Sequence, residues 1–245
     1  DRGRFGDLCT RLGIRQPEGG MARSRDEAIA LARRIGYPVL MRPSYVLGGQ
    51  SMRILYNDDE VGHYLDGTVV AADDRPVLVD QFLEDAFEYD VDALCDGENV
   101  VIAGILEHVE EAGVHSGDSS AMYPPYLIKE HVLEEMRAVT HKLGKALGVR
   151  GLMNVQFAER GGELYIIEVN PRASRTVPFL AKATGIPLVK LATRLMMGET
   201  LASIGLTQEP VPKRYYAKAP VFPFRKFPGV DVILGPEMRS TGEVM

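Results

Sequence analysis

The 245 residues predict an α+β fold of two lobes, not a doubly wound parallel sheet. Three observations carry this. Strand-like runs come in adjacent pairs joined by turn residues, so they read as hairpins and not as regular βαβ units. Helix-period stretches with start and stop signals stand between the hairpins. No repeat or low-complexity tract interrupts them, and the length suffices for one large core or two lobes.

The elements follow in order. Phe5, Leu8, Cys9 and Leu12 form a helical stripe that ends at Gly13. Ser24 and Glu27 have capping-box spacing ahead of "AIALARRIG", and Gly36 is a natural stop. "YPVLMRPSY" and "SMRILY" predict strands joined by the small-residue link "VLGGQ". A helix covers Asp58 to about Leu65, and "PVLVDQFL" is an apolar strand. "FEYDVDALCDGENVVIAGILEHVE" predicts two alternating strands around the turn "DGEN". "GVHSGDSSAMYPPY" predicts loop, and "IKEHVLEEMRAVTHKLGKALG" a helix stopped by Gly148. The hairpin "NVQFAERGGELYIIEVNPR" comes next, then helices through "TVPFLAKATG" and "PLVKLATRLMMGE". From about Thr200 the chain is Pro-rich and reads as a wrapping segment leading to a further domain.

Composition excludes several classes of function. Lys and Arg total 28 against 34 Asp and Glu, a formal charge of -6, which argues against broad nucleic-acid or anionic-membrane binding. No apolar run approaches the roughly 20 residues that span a bilayer. Cys9 and Cys95 are isolated, without metal-ligand spacing, and suit a reducing compartment. With no leader at Asp1 and an abrupt stop after "GPEMRSTGEVM", the chain reads as an internal piece of a longer cytoplasmic protein.

Chemistry concentrates in the hairpin from Asn154 to Arg172. A three-residue loop at Gly161, Gly162 and Glu163 places Gln156 opposite Glu168 and Asn154 opposite Asn170. Those four polar side chains then share one face, while Val155, Phe157, Tyr165, Ile167 and Val169 share the other. A cluster of side-chain oxygens with one carboxylate suits a hard divalent cation shared with phosphates. It equally suits an edge hairpin whose polar face is wetted, and spacing alone does not separate the two. Arg172 and Arg175, just beyond the hairpin, favour the first reading, since guanidinium groups neutralise a phosphoryl group in transit.

Three weaker signals accompany it. Gly48 and Gly49, between two strands, let backbone N–H groups approach phosphate oxygens, although neither a Walker A loop nor a dinucleotide fingerprint is present. The loop around His115 is rich in Gly, Ser and Asp, as anion-contacting loops and ordinary loops both are. Glu88 and Asp90 begin an alternating strand and face one way, and Glu88 suits ribose hydroxyls.

Together "RPSYVLGGQSM", "AGVHSGDSS", "GLMNVQFA" and "IIEVNPRASRTVPFLAKATGIPL" resemble the ATP-grasp domains of the carbamoyl phosphate synthetase large chain, and the similarity runs through "FPGVDVILGPEMRSTGEVM". "RPSYVLGG" and "EVNPRASRTVPFLAKATG" resemble the second, carbamate-phosphorylating half more than the first, bicarbonate-phosphorylating half. The resemblance implies ATP gripped between two antiparallel-sheet lobes, residues 1–80 and 81–200, with 201–245 as the wrapping segment. It implies Gln156, Glu168 and Asn170 as Mg2+ or Mn2+ ligands. Nucleotide contacts fall on Arg42, Gln81, Leu83, Glu88, Gly113, Val114, His115, Ser116, Gln156 and Glu168, and catalytic roles on Arg172 and Arg175. Its implied partners are carbamate, the remainder of the large chain and a glutamine amidotransferase small chain. Rival expectations are a biotin carboxylase-like or purine-pathway ligase, or an ATP-binding domain kept for assembly.

Overall fold

The computed structural model describes residues 2–43, 51–67, 76–226, 229 and 232–245. The Gly48–Gly49 loop lies outside them. Helix α1 (Arg2–Leu12) is followed by β1 (Gly19–Ala22), α2 (Arg25–Ile35), β2 (Val39–Pro43), β3 (Arg53–Leu55), α3 (Asp58–Gly67) and β4 (Val77–Gln81). The four strands form one antiparallel sheet in the order β1-β4-β2-β3. Ala28 and Ala32 of α2 and Val61 and Tyr64 of α3 bury one face of it against Val39, Met41, Leu55, Val77 and Val79. The Ser24 hydroxyl accepts the Glu27 N–H at 3.2 Å, while the Glu27 carboxylate reaches past it to the Arg23 N–H. β1 has no alternating apolar pattern, and the sequence reading did not anticipate it.

The second sheet takes most of the remaining chain. Its strands are β5 (Phe87–Asp96), β6 (Val100–His108), β7 (Ala121–Tyr123), β8 (Arg150–Arg160), β9 (Glu163–Asn170), β10 (Tyr216–Val221) and β11 (Gly242–Val244). Their order is β11-β10-β7-β6-β5-β8-β9, with every pairing antiparallel. Helix α4 (Glu130–Ala146) covers one face through Val132, Met136, Val139 and Leu143, joined by Leu8 and Cys9 of α1. Helices α5 (Val177–Thr184) and α6 (Leu188–Met196) cover part of the other through Phe179, Leu180, Leu188 and Leu195. β7 corrects the expectation of continuous loop from Gly113 to Tyr126. β10 and β11 show that the Pro-rich tail completes this sheet as well as wrapping it.

The cover by α5 and α6 is incomplete, and the sequence of each strand records where it stops. On β5 that face carries Leu94 beneath the helices and then Asp92, Asp90 and Glu88 beyond them. On β8 it carries Leu152, then Asn154 and Gln156, and on β6 Leu106, then His108. Apolar side chains give way to polar ones where helix packing ends.

The β8–β9 hairpin corrects one expectation while keeping its consequence. Gly161 and Gly162 have φ of +63° and +89°, so the turn has two residues and pairs Arg160 with Glu163. A bulge then places one extra residue, Ile167, on β9, and from there Gln156 faces Glu168 and Asn154 faces Asn170. Between turn and bulge the faces are exchanged relative to the three-residue-loop register. Leu164 and Ile166 therefore enter the core, whereas Ile167 is exposed and Tyr165 only half-buried. Ile166→Ala is expected to cost about 2–5 kcal/mol and Ile167→Ala under about 1 kcal/mol. Denaturant unfolding of the two variants checks the bulge directly, since equal costs contradict it.

Candidate active site

Polar side chains from four strands meet on the uncovered half of the large sheet. Asp90 is at the centre and almost completely buried. Its carboxylate accepts from Asn154 Nδ2 at 3.1 Å and Gln156 Nε2 at 3.2 Å, and lies 2.9 Å from His108 Nε2. The other ring nitrogen of His108 is 3.6 Å from Glu88, which confirms that Glu88 and Asp90 face one way. Asp92 accepts from Asn154 at 3.2 Å, from the Ser174 hydroxyl at 2.7 Å and from the Thr176 hydroxyl. Thr176 thus spends its side chain on the sheet and leaves the N-terminus of α5 without a side-chain cap.

At the rim, Asn170 Nδ2 donates to Glu168 Oε1 at 2.7 Å. Because the amide nitrogens of Gln156 and Asn170 are engaged by carboxylates, their oxygens are the atoms left to accept or to ligate. Among the described residues no three His, Cys, Asp or Glu side chains form a metal-holding group, so a cation here depends on those amide oxygens. Two amide oxygens and the Glu168 carboxylate are hard donors, and this set fits Mg2+ or another oxygen-seeking cation.

The segment from Gly113 to Ser116 bridges the sheets. Gly113 has φ of +100° and donates its N–H to Glu88 at 3.2 Å. A Cβ at that position would lie 2.9 Å from the Phe82 ring and 3.3 Å from Ile54, so only glycine fits without displacing the small lobe. His115 Nδ1 accepts the Gly117 N–H at 3.0 Å, and Lys218 Nζ donates to the Ser116 carbonyl at 3.1 Å. Val114 is half-buried in the same segment. Leu83 packs with Ala86 and Ala158, against Ala112 and Tyr165, where the lobes meet.

Arg42 and Gln81 lie on the small sheet, on β2 and β4. Arg42 Nε is buried without a hydrogen-bond partner, 3.9 Å from Asp80. Gln81 anchors its backbone N–H on Glu18 at 2.7 Å. Arg172 is exposed, with Nη1 bonded to the Ala173 carbonyl at 3.0 Å. Arg175 lies beside the His115–Gly117 turn, held there by Met238 and Ser240.

Burial and charge divide the titratable groups. Burial opposes ionisation of Asp90, but the hydrogen bond and charge of His108, helped by Asn154 and Lys218, hold its carboxyl below the usual range. Burial likewise opposes the His108 imidazolium, and its hydrogen bond to Asp90, with the nearby Asp90 and Glu88 carboxylates, overcomes that and raises it. Asp92 goes the other way. Burial and the Asp90 charge push it up to about 6 against the Ser174, Thr176 and Asn154 hydrogen bonds. Burial pulls His115 down, favouring neutral imidazole, and also lowers Lys218.

Asp92, His108, Ser174, Thr176 and Lys218 were missed by sequence reasoning. Glu88, Asp90 and Asp92 at successive even positions of one strand were a readable signal. Lys218, brought in by β10, had none.

This arrangement can be set beside known proteins. Residues 1–204 match the family described as carbamoyl-phosphate synthase L chain, ATP binding domain. The chain belongs to this family. Carbamoyl phosphate synthase large chains of Pasteurella multocida, Pseudomonas aeruginosa and Archaeoglobus fulgidus are 54%, 55% and 54% identical to it over 245 residues, which is 100% of this chain and 23% of each relative. The biotin carboxylase domain of Hydrogenobacter thermophilus 2-oxoglutarate carboxylase, solved with MgADP, ADP and bicarbonate, matches with a TM-score of 0.76 at 26% identity. That match covers 90% of this chain and 49% of the other. Campylobacter jejuni biotin carboxylase, solved with a β-γ-ATP ligand, shares the fold with a TM-score of 0.72 at 19% identity, over 88% of this chain and 49% of that one. The fold is ATP-grasp, as the resemblance implied.

Asp92 gives a pH test with a definite sign. Its folded pKa, near 6, lies above its unfolded value, so its contribution is most favourable below about pH 4 and is lost as pH rises through about 6. Asp92→Asn removes that titration. The stability of the wild type relative to this variant is expected to rise as pH falls from 7 to 4.5, measured by urea unfolding, and a pH-independent difference contradicts the assignment.

Proposed function

We propose that this chain is the ATP-using domain that phosphorylates carbamate to carbamoyl phosphate, acting within a large chain of which it forms one part. The observation that carries this reading is the match to carbamoyl phosphate synthase large chains along the whole chain, and the resemblance of "EVNPRASRTVPFLAKATG" to the carbamate-phosphorylating half supports the choice of acceptor. The remainder of the large chain and a glutamine amidotransferase small chain are the proposed partners, and the cytoplasm the proposed compartment.

Carbamate carries an ionised carboxylate and needs neither a nucleophilic side chain nor a general base. Its oxygen forms the new bond to the γ-phosphorus as the bond to the β–γ bridging oxygen breaks, and that electron pair leaves with ADP. The chain contributes position and charge. The oxygens of Glu168 and of Gln156 and Asn170, whose amide nitrogens are turned to carboxylates, would hold Mg2+ or Mn2+, and that cation would supply neutralisation of the triphosphate charge. Arg172 and Arg175 offset the charge of the phosphoryl group in transit. The Gly113–Ser116 backbone and neutral His115 contact the phosphates, Glu88 the ribose and Leu83 the adenine edge, with Arg42 and Gln81 closing from the small lobe. Closure of the lobes excludes water from a labile nucleophile and a labile mixed anhydride.

The deciding experiment is formation of ATP from ADP and carbamoyl phosphate by the full-length large chain. ATP formation is the expected result. Its absence, with ATP-dependent carboxylation of another acceptor, overturns the assignment. Glu168→Gln removes the one carboxylate of the cation set and is expected to lower this rate by about 100-fold or more while the unfolding midpoint stays unchanged. Arg172→Ala is expected to lower kcat by about 10- to 1,000-fold with a smaller change in KM for ATP. Steady-state kinetics read both, and a pure KM effect for Arg172→Ala contradicts its role.

A further inference from the structure

The tail residues Gly235 to Ser240 lie against the nucleotide-facing loop, more than a hundred positions away in sequence. The contact centres on Asp118, which is fully buried. Its two carboxylate oxygens accept from two consecutive backbone N–H groups, Arg239 at 2.7 Å and Ser240 at 2.8 Å. Ser240, itself buried, donates its hydroxyl to the Gly117 carbonyl at 2.7 Å and accepts from Arg175 Nη1 at 3.2 Å. The same Arg175 nitrogen lies 2.7 Å from Met238 Sδ. The His115 N–H donates to the Gly235 carbonyl at 2.8 Å, and the Asp118 N–H returns to the His115 carbonyl at 2.7 Å.

We propose that Asp118 is a positioning residue for Arg175. Its carboxylate fixes the Arg239–Ser240 backbone, and Ser240 with Met238 then fixes the guanidinium beside the His115–Gly117 turn. A long arginine left free samples many rotamers. Holding Nη1 at two points removes that freedom before the reaction instead of during it. A carboxylate bonded to two N–H groups also cannot be replaced by an amide without presenting a donor to a donor. This inference rests on the reading of Arg175 as a group that faces the transferring phosphoryl.

The test uses the full-length large chain and two readouts. In ATP formation from ADP and carbamoyl phosphate, Asp118→Asn is expected to lower kcat about tenfold or more, with KM for ADP changed less than about threefold. Combined with Arg175→Ala it is expected to add little further loss, because both changes remove one contribution. Ser240→Ala, a milder change should Asp118→Asn fold poorly, is expected to lower kcat in the same direction, and Ser240→Thr to restore it. Multiplicative losses in the Asp118→Asn/Arg175→Ala pair, or full activity of Ser240→Ala, overturn the proposal. Hydrogen exchange supplies the readout that needs no acceptor. Asp118→Asn, or Ser240→Ala in its place, is expected to speed exchange across both 236–241 and 173–177, whereas unchanged exchange at 173–177 overturns the link. If the wild-type chain forms no ATP from carbamoyl phosphate, the acceptor assignment fails alone and the exchange result still decides the link.

Discussion

A buried carboxylate organises the polar half of the large sheet. Asp90 has lost nearly all contact with water, and an ionised group in that position costs several kcal/mol unless it is matched. It is matched on three sides, by His108, Asn154 and Gln156. Each match also constrains the partner. His108 is held between Asp90 and Glu88, Asn154 is shared with Asp92, and Gln156 must turn its amide nitrogen inward. The orientation of Gln156 is therefore decided one strand away, on β5. So is the presentation of an amide oxygen at the rim, next to Glu168.

What the sequence made legible, and what it hid, follows from the range of the interactions. Helix α2 was readable because Ser24 and Glu27 signal locally. The facing of Gln156 and Glu168 was readable in outcome though not in cause. The tight turn at Gly161–Gly162 and the bulge at Ile167 each shift the register by one, in opposite directions. Beyond the bulge the shifts cancel, and before it they do not. Nothing in the apolar pattern distinguishes Ile166 from Ile167, since both are equally able to fill a core. Placing the bulge requires knowing that β5 lies alongside with Asp90 opposite Gln156. Lys218 and Ser240 were illegible for a stronger reason, because β10 and the tail reach the site only through tertiary pairing.

The large sheet, in turn, explains why the tail belongs to the site and not merely to its wrapping. β10 pairs with β7, and β7 continues the loop that begins at Gly113. Docking β10 therefore sets the far end of that loop and delivers Lys218 beneath the Ser116 carbonyl. The near end is set by Glu88 through the Gly113 N–H. A loop tied at both ends, with the Phe82 ring packed against Gly113 and the His115 N–H bonded to the Gly235 carbonyl, keeps its backbone in one arrangement.

Charge completes the argument. The sheet floor carries Asp90 ionised, Asp92 easily protonated and His108 readily charged, with Lys218 alongside. Opposite charges on one floor largely cancel at a distance, and burial keeps their interactions local. The groups left to shape the field over the site are those at the rim, Glu168 on β9 and Arg172 and Arg175 just beyond it. A carboxylate that calls for a cation and two guanidinium groups that call for an anion sit within seven positions of one another. A triphosphate carrying its divalent cation satisfies both demands at once. Neither a free metal nor a free phosphate does so alone, which is the physical reason for proposing this rim as part of the nucleotide site.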